Sequence, residues 1–179
     1  VPDDTGLAYS LQVDCTTASA SVGAADYVRL RYHIEGQDLQ DFAKGTSSAK
    51  KFALSFYAKS SVTGDYAIAF YDGDNTRMCT TTYTVSDTNW NRYEIIIPAD
   101  TTGAFDNDTN ASLTIWFWFI SGSNHQAGSA QNTWGAYAEN ALGKGHTANL
   151  GSNTSNNFYL TGVQLEASDY RTDFEHRSY

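Results

Sequence analysis

Basic side chains are scarce: 11 Lys and Arg stand against 20 Asp and Glu, for a net charge of −9. Nucleic acid recruits clustered cations. The only candidates are Lys50-Lys51 and the pair Arg29 and Arg31, too few to track a phosphate backbone, so no nucleic-acid partner is expected. No run approaches the roughly 18 apolar residues of a membrane helix, so no membrane insertion is expected. Cysteine is limited to Cys15 and Cys79, far below the density of a small disulfide scaffold. Both lie in strand-like stretches and read as free thiols. Catalytic signatures are missing too. There is no Gly-x-Ser-x-Gly elbow, phosphate loop or dinucleotide fingerprint. The histidines, His33, His125, His146 and His176, have no zinc-ligand spacing, and no Cys-x-x-Cys occurs. The chain is therefore expected not to be an enzyme and to require no cofactor. It starts at Val1, not Met, and is expected to be a fragment, a processed product or the ordered part of something longer.

What is present is a β pattern. The 179 residues are 41% hydrophobic and 17% charged, so the expected surface is made of Ser, Thr, Asn, Gln and Gly. Apolar residues alternate with polar ones at Val28, Leu30, Tyr32 and Ile34, at Phe52, Leu54, Phe56 and Ala58, and at Tyr66, Ile68 and Phe70. Every second side chain of a strand shares a face, so these runs predict half-buried strands. Tyr9, Leu11, Val13 and Cys15 alternate as well, and Tyr93, Ile95 and Ile97 stop at Pro98, which cannot donate to a ladder. Residues 113–120, LTIWFWFI, are apolar throughout, as in a strand covered on both faces. Gly162 marks a bulge in the last run. About eight strands with polar turns predict an all-β antiparallel sandwich of jelly-roll type. One short helix is expected over residues 37–44, stopped by Gly45. Residues 1–179 read as one domain, with 1–6 as an arm and 169–179 as an exit segment. The predicted core includes Leu30, Ile34, Leu54, Phe56, Ile68, Phe70, Ile95, Phe117, Val163 and Leu165.

Two polar loops carry clustered oxygen ligands: Asp72, Asp74 and Asn75 in one, and Asp106, Asp108 and Asn110 in the other. Calcium takes such oxygens, so these residues are candidates for a structural calcium site. Asp and Asn also favour turns for their own local hydrogen bonds. The aromatic residues offer a second candidate. If Phe117 and Phe119 face the core, Trp116 and Trp118 face away. Trp134 and Tyr137 lie in the long Gly-, Asn- and Ser-rich stretch 121–157. Such rings can stack on sugars, fill a subunit interface, or simply be covered by a loop.

Two segments carry a resemblance. Ile34-Glu-Gly-Gln-Asp-Leu39 followed by Lys51-Phe-Ala-Leu-Ser-Phe-Tyr-Ala-Lys-Ser60 is similar to the first half of carbohydrate-binding-module-like jelly rolls. Thr161-Gly-Val-Gln-Leu-Glu166 and then Thr172-Asp-Phe-Glu-His-Arg-Ser-Tyr179 resembles the end of bacteriophage virion appendage and decoration proteins: tail fibres, spikes and head fibres. Asp87-Thr-Asn-Trp90 with Pro98, and Thr101-Thr-Gly103, also look like the middle of those domains. The resemblance implies a non-enzymatic virion domain at the particle surface, in a tail fibre, spike or capsid decoration. It implies a homotrimer that contacts other virion proteins and binds a host-surface glycan or supports assembly. The alternative is a carbohydrate-binding module of a secreted bacterial polysaccharide-active enzyme.

Overall fold

The structure is a computed structural model and describes residues 1–3, 5–130 and 132–176. Among these residues, nine strands form two antiparallel sheets. They are β1 (Leu11–Asp14), β2 (Tyr27–Glu35), β3 (Phe52–Ser60), β4 (Gly64–Asp72), β5 (Arg77–Val85), β6 (Asn91–Ile97), β7 (Ala111–Ser121), β8 (Gly135–Ala136) and β9 (Asn157–Glu166). One sheet has the order β1-β9-β3-β6 and the other β2-β7-β4-β5-β8. The protein is an all-β sandwich. The inward residues of β3, β4 and β7 supply the middle of the core: Phe52, Leu54, Phe56, Tyr66, Ile68, Phe70, Ile115 and Phe117 are all buried. Edge-to-face contacts lock them, with Phe56 and Phe117 ring centroids 5.2 Å apart and nearly perpendicular.

The expected alternation is realised, with three corrections. The predicted helix is a 3-10 helix over Gly36–Phe42, and it ends at Ala43, whose φ of 48° is left-handed, two residues before Gly45. Gly36 can start it because a Cβ there would run into the Asp106 carbonyl. Second, Gly162, at φ +57°, sits where β9 slips register against β3. Two residues, Gly162 and Val163, then oppose Phe56, as in a bulge. Third, Val163 is not in the core; it is 42% exposed. Strand β1 pairs only with residues 157–160 of β9; beyond Leu160 the chain alongside is no longer a paired strand, with Tyr9 bonded to Thr161 and Leu7 against Gly162, and Val163 is left at the open margin.

Strand β2 also departs from a closed core. Its inward residues are those the alternation selects, yet Val28 and Tyr32 are exposed and Leu30 and Ile34 are only half-buried. The strand order of its sheet ends on β2, so only β7 supports it. The two sheets diverge along this side and leave a seam between β2 and the β1–β9 pair. The long stretch after β7 is not free. It crosses the outer face of the β2–β7–β4–β5 sheet and buries Ala141 and Leu142 against Ala67, Ala69, Met78, Trp116 and Trp118. On the outer face of the other sheet, the segment after β9 runs across the strands. Gln164 and Glu166 of β9 hydrogen-bond to Thr172, Arg92 of β6 donates to the Thr172 carbonyl, and His176 meets the Thr5 carbonyl at 2.7 Å. Residues 177–179, the end of the C-terminal motif, lie outside the described residues.

Candidate functional site

The candidate tryptophans are covered by the chain itself. Trp116, Trp118 and Trp134 are 6%, 0% and 9% exposed. Trp116 and Trp118 do face away from the core, as parity requires, but Ala67 and Ala69 beside them leave room for the rings, and the loop closes over them. Arg29 of β2 completes the lid. Its guanidinium lies 4.4 Å from the Trp116 ring centroid, 5.0 Å from Trp118 and 4.7 Å from Tyr27, cation–π geometry in each case. Burial lowers the Arg29 pKa from its ordinary value. Tyr137 packs against Tyr71, which stacks on Trp116. Trp134 belongs to the main core, edge-on to Phe52, with its indole N–H donating to the Pro98 carbonyl at 2.9 Å. Of the sequence's three readings, loop cover is the one observed for Trp116 and Trp118, while Trp134 is a core residue and Tyr137 is half-buried.

The calcium candidates meet a similar answer. The structure brings the two loops together: Asn75 donates to the Ala104 carbonyl, and the Asp106 amide donates to the Asp74 carboxylate. The central carboxylate is already taken. The Lys44 ammonium is fully buried, 2.5 Å from Asp72 and 3.1 Å from Asp100, and it donates to the carbonyls of Thr102 and Gly103. An ammonium thus fills the oxygen cage that would hold a cation. Asp108 accepts from Asn110 and is satisfied within its own turn. Among the described residues, no group of three or more His, Cys, Asp or Glu side chains is placed to hold a metal. Asp100 is gripped by Arg77 at 2.8 and 3.0 Å and by the Thr102 amide. Burial alone would raise its pKa, but the bonds from Arg77, Thr102 and Lys44 outweigh burial and hold it below the usual carboxylate range. Sequence reasoning missed Lys44 and Arg77, since partners 28 and 23 positions from Asp72 and Asp100 leave no local signature.

The cysteines remain apart in role. Both are free; Cys79 is buried on β5 with its thiol pushed up to about 12 by burial first and then by Asp100. That makes it an inert core thiol rather than a nucleophile.

Two surfaces are left with unassigned chemistry. The first is the seam. A groove of about 500 Å³ opens between Tyr32 and Ile34 of β2 and Val163 and Leu165 of β9, floored by Leu54 and Ile115. A smaller one of about 200 Å³ lies further along, between Val13 of β1 and Val28 of β2. Tyr32, Val28, Leu11 and Val163, all more than 40% exposed, line or flank this side. The opposite face of β2 carries Arg29, Arg31 and His33, on a chain of net charge −9. The second surface is a cleft of about 380 Å³ at the start of β2, lined by Ala25, Tyr27, Asn124, His125, Glu139 and Asn140. Comparison with protein-family models, with curated proteins and with solved structures finds no match.

Proposed function

We propose that this chain is a non-enzymatic domain of a bacteriophage particle that serves in host-surface attachment or particle assembly, working as a homo-oligomer, with a trimer expected. The particle assignment rests on the resemblance of residues 161–166 and 172–179, and the observation that supports assembly is the open seam. A nine-residue edge strand with exposed Val28 and Tyr32 faces the part of β9 beyond its pairing with β1, with Val163 exposed. Proteins usually blunt or cover such an edge, because unpaired backbone and apolar side chains invite pairing with another chain. The occupant we assign is a second copy. Arg29 and Arg31 place positive charge on the outer face of this edge strand while the chain as a whole is strongly acidic, so the strand complements an acidic region of an identical molecule. A contact between unlike surfaces is heterologous, and it closes into a ring where the rotation between copies divides a full turn evenly. The reading without catalysis is supported by the fate of the buried charges: Lys44, Asp72, Arg77 and Asp100 are spent on each other.

Static light scattering on the full chain tests it. The expected mass is that of a trimer, and Tyr32→Asp with Val163→Asp should return monomers with an unchanged far-ultraviolet spectrum. A wild-type chain that stays monomeric at all concentrations contradicts the proposal. The alternative, a carbohydrate-binding module of a secreted enzyme, is favoured by the Tyr27 cleft and predicts selective polysaccharide binding whatever the assembly state.

A further inference from the structure

The cleft at the start of β2 differs in chemistry from the other depressions. In the groove between β9 and the C-terminal segment, Gln164 and Glu166 are already bonded to Thr172. In the seam groove the lining is apolar apart from Asp38 and the Tyr32 phenol. Around the cleft, by contrast, Asn124, Glu139 and Asn140 are all exposed, and among the described residues no hydrogen bond or salt bridge engages their side chains. They stand beside an aromatic ring. Tyr27 is 48% exposed and is held edge-on against buried His125 at 4.9 Å and near Trp118 at 5.9 Å. The ring is fixed from behind: Arg29 lies over it, the Asp26 amide bonds to the Gly23 carbonyl, and the Gly122 amide bonds to the Asp26 carbonyl. The other wall is also braced, by Gly143 donating to the His125 carbonyl and Gly128 to the Asn140 carbonyl. A rigid ring next to two uncommitted amides and one uncommitted carboxylate, in a cleft of about 380 Å³, is a small-ligand arrangement, since sites of this kind run from about 300 to 1,000 Å³.

The donor and acceptor set narrows the ligand. Each Asn amide offers both a donor and an acceptor, and an ionised Glu offers acceptors only. Hydroxyl groups, which donate and accept, satisfy all three side chains at once, while the apolar face of a sugar ring covers tyrosine. An acidic ligand is disfavoured twice, by Glu139 in the lining and by the net charge of −9. Arg29 does not line the cleft, and where its guanidinium reaches the back of Tyr27 the Glu139 carboxylate opposes its charge.

We propose that this cleft binds an uncharged saccharide through Tyr27, Asn124, Glu139 and Asn140. The inference deepens the attachment reading and does not depend on the oligomer. The test is an array of neutral and acidic glycans probed with the full chain, followed by calorimetry with the strongest neutral binder. Tyr27→Ala and Glu139→Gln should each weaken affinity about tenfold, and Asn140→Ala, an exposed change that leaves the fold intact, should weaken it measurably. Tyr32→Asp, at the seam, should leave saccharide affinity unchanged. Binding of acidic glycans alone, binding of none, or binding indifferent to both Glu139→Gln and Asn140→Ala would overturn the site. Loss of the oligomer in Tyr32→Asp with saccharide affinity intact separates a failure here from a failure of the assembly proposal.

Discussion

Two regions of the sandwich's margin solve the same problem in opposite ways. At the end formed by the β4–β5 turn and the loop before β7, the core is closed by charged groups. Lys44 reaches in beneath Phe105 and Trp134 and is paired with Asp72 and Asp100, and Arg77 seals Asp100 from outside. Along the β2–β9 seam the margin is apolar and unsealed, with Tyr32 and Val163 exposed over Leu54 and Ile115. Burying charge is costly unless each group finds a partner, so the first region is self-sufficient. The second exposes hydrophobic area that only another surface can cover, which accords with an assembly contact there.

Substitutions sharpen that contrast, beginning with the core between the two regions. Phe117→Ala should lose about 3–5 kcal/mol and Leu54→Ala about 2–5 kcal/mol in urea unfolding, because both sites are fully enclosed. Tyr32→Ala at the seam should change monomer stability by no more than about 0.5 kcal/mol. At the sealed end, Lys44→Ala strands Asp72 without its cation and should cost about 3–5 kcal/mol. Lys50→Ala, whose partner Asp41 is 78% exposed, should cost less than about 1 kcal/mol in the same assay. A Lys44 variant as mild as the Lys50 one would mean that the buried cluster does not close that end.

Smaller effects distinguish the tryptophans. Trp134→Phe loses the bond to the Pro98 carbonyl and should cost about 1 kcal/mol more than Trp118→Phe, whose indole nitrogen has no hydrogen-bond partner among the described residues. Thermal melts of the two variants decide this. The pH response should be gentler still. His146 is buried, its Nδ1 accepts from the Ala67 amide at 3.1 Å, and burial lowers its pKa from 6.5. A depressed folded-state pKa means that the unfolded chain binds the proton more readily. The stability from this group is therefore complete above about pH 6.5 and declines as the pH falls below it. His146→Gln should flatten the slope of melting temperature between pH 7 and pH 5, and an unchanged slope would remove His146 as its source.

Much of the fold was legible in the sequence because strand parity is a local property. Val28 to Ile34, Phe52 to Ala58 and Tyr66 to Phe70 all took the faces their alternation assigned. Parity reports which face a side chain occupies, not whether anything covers that face. Val28, Tyr32 and Val163 are on or near the inward side but lie at edges, and edge position depends on strand order, which alternation does not encode. The candidate site was less legible for a related reason. Trp116 and Trp118 stood out as outward rings, but their cover comes from Ala141 and Leu142, in a stretch with no periodic signal. The Asp-rich turns resembled ligand sets because their cation, Lys44, enters from a different part of the chain. Tyr27, at the start of the clearest strand, reads in sequence as one more strand tyrosine. The approach of Asn124, Glu139 and Asn140 from the long loop is what makes this cleft beside it.

The central claim is that the seam is a contact between copies, and amide hydrogen exchange along β2 tests it most directly. Wild type should be compared with the Tyr32→Asp, Val163→Asp double variant at equal concentration, using β4, which lies inside its sheet, as the internal reference. The account predicts slower exchange across residues 27–35 in wild type than in the double variant, with residues 64–72 alike in both. Equal exchange across residues 27–35 in the two proteins would contradict it, and the seam would then be an ordinary exposed edge.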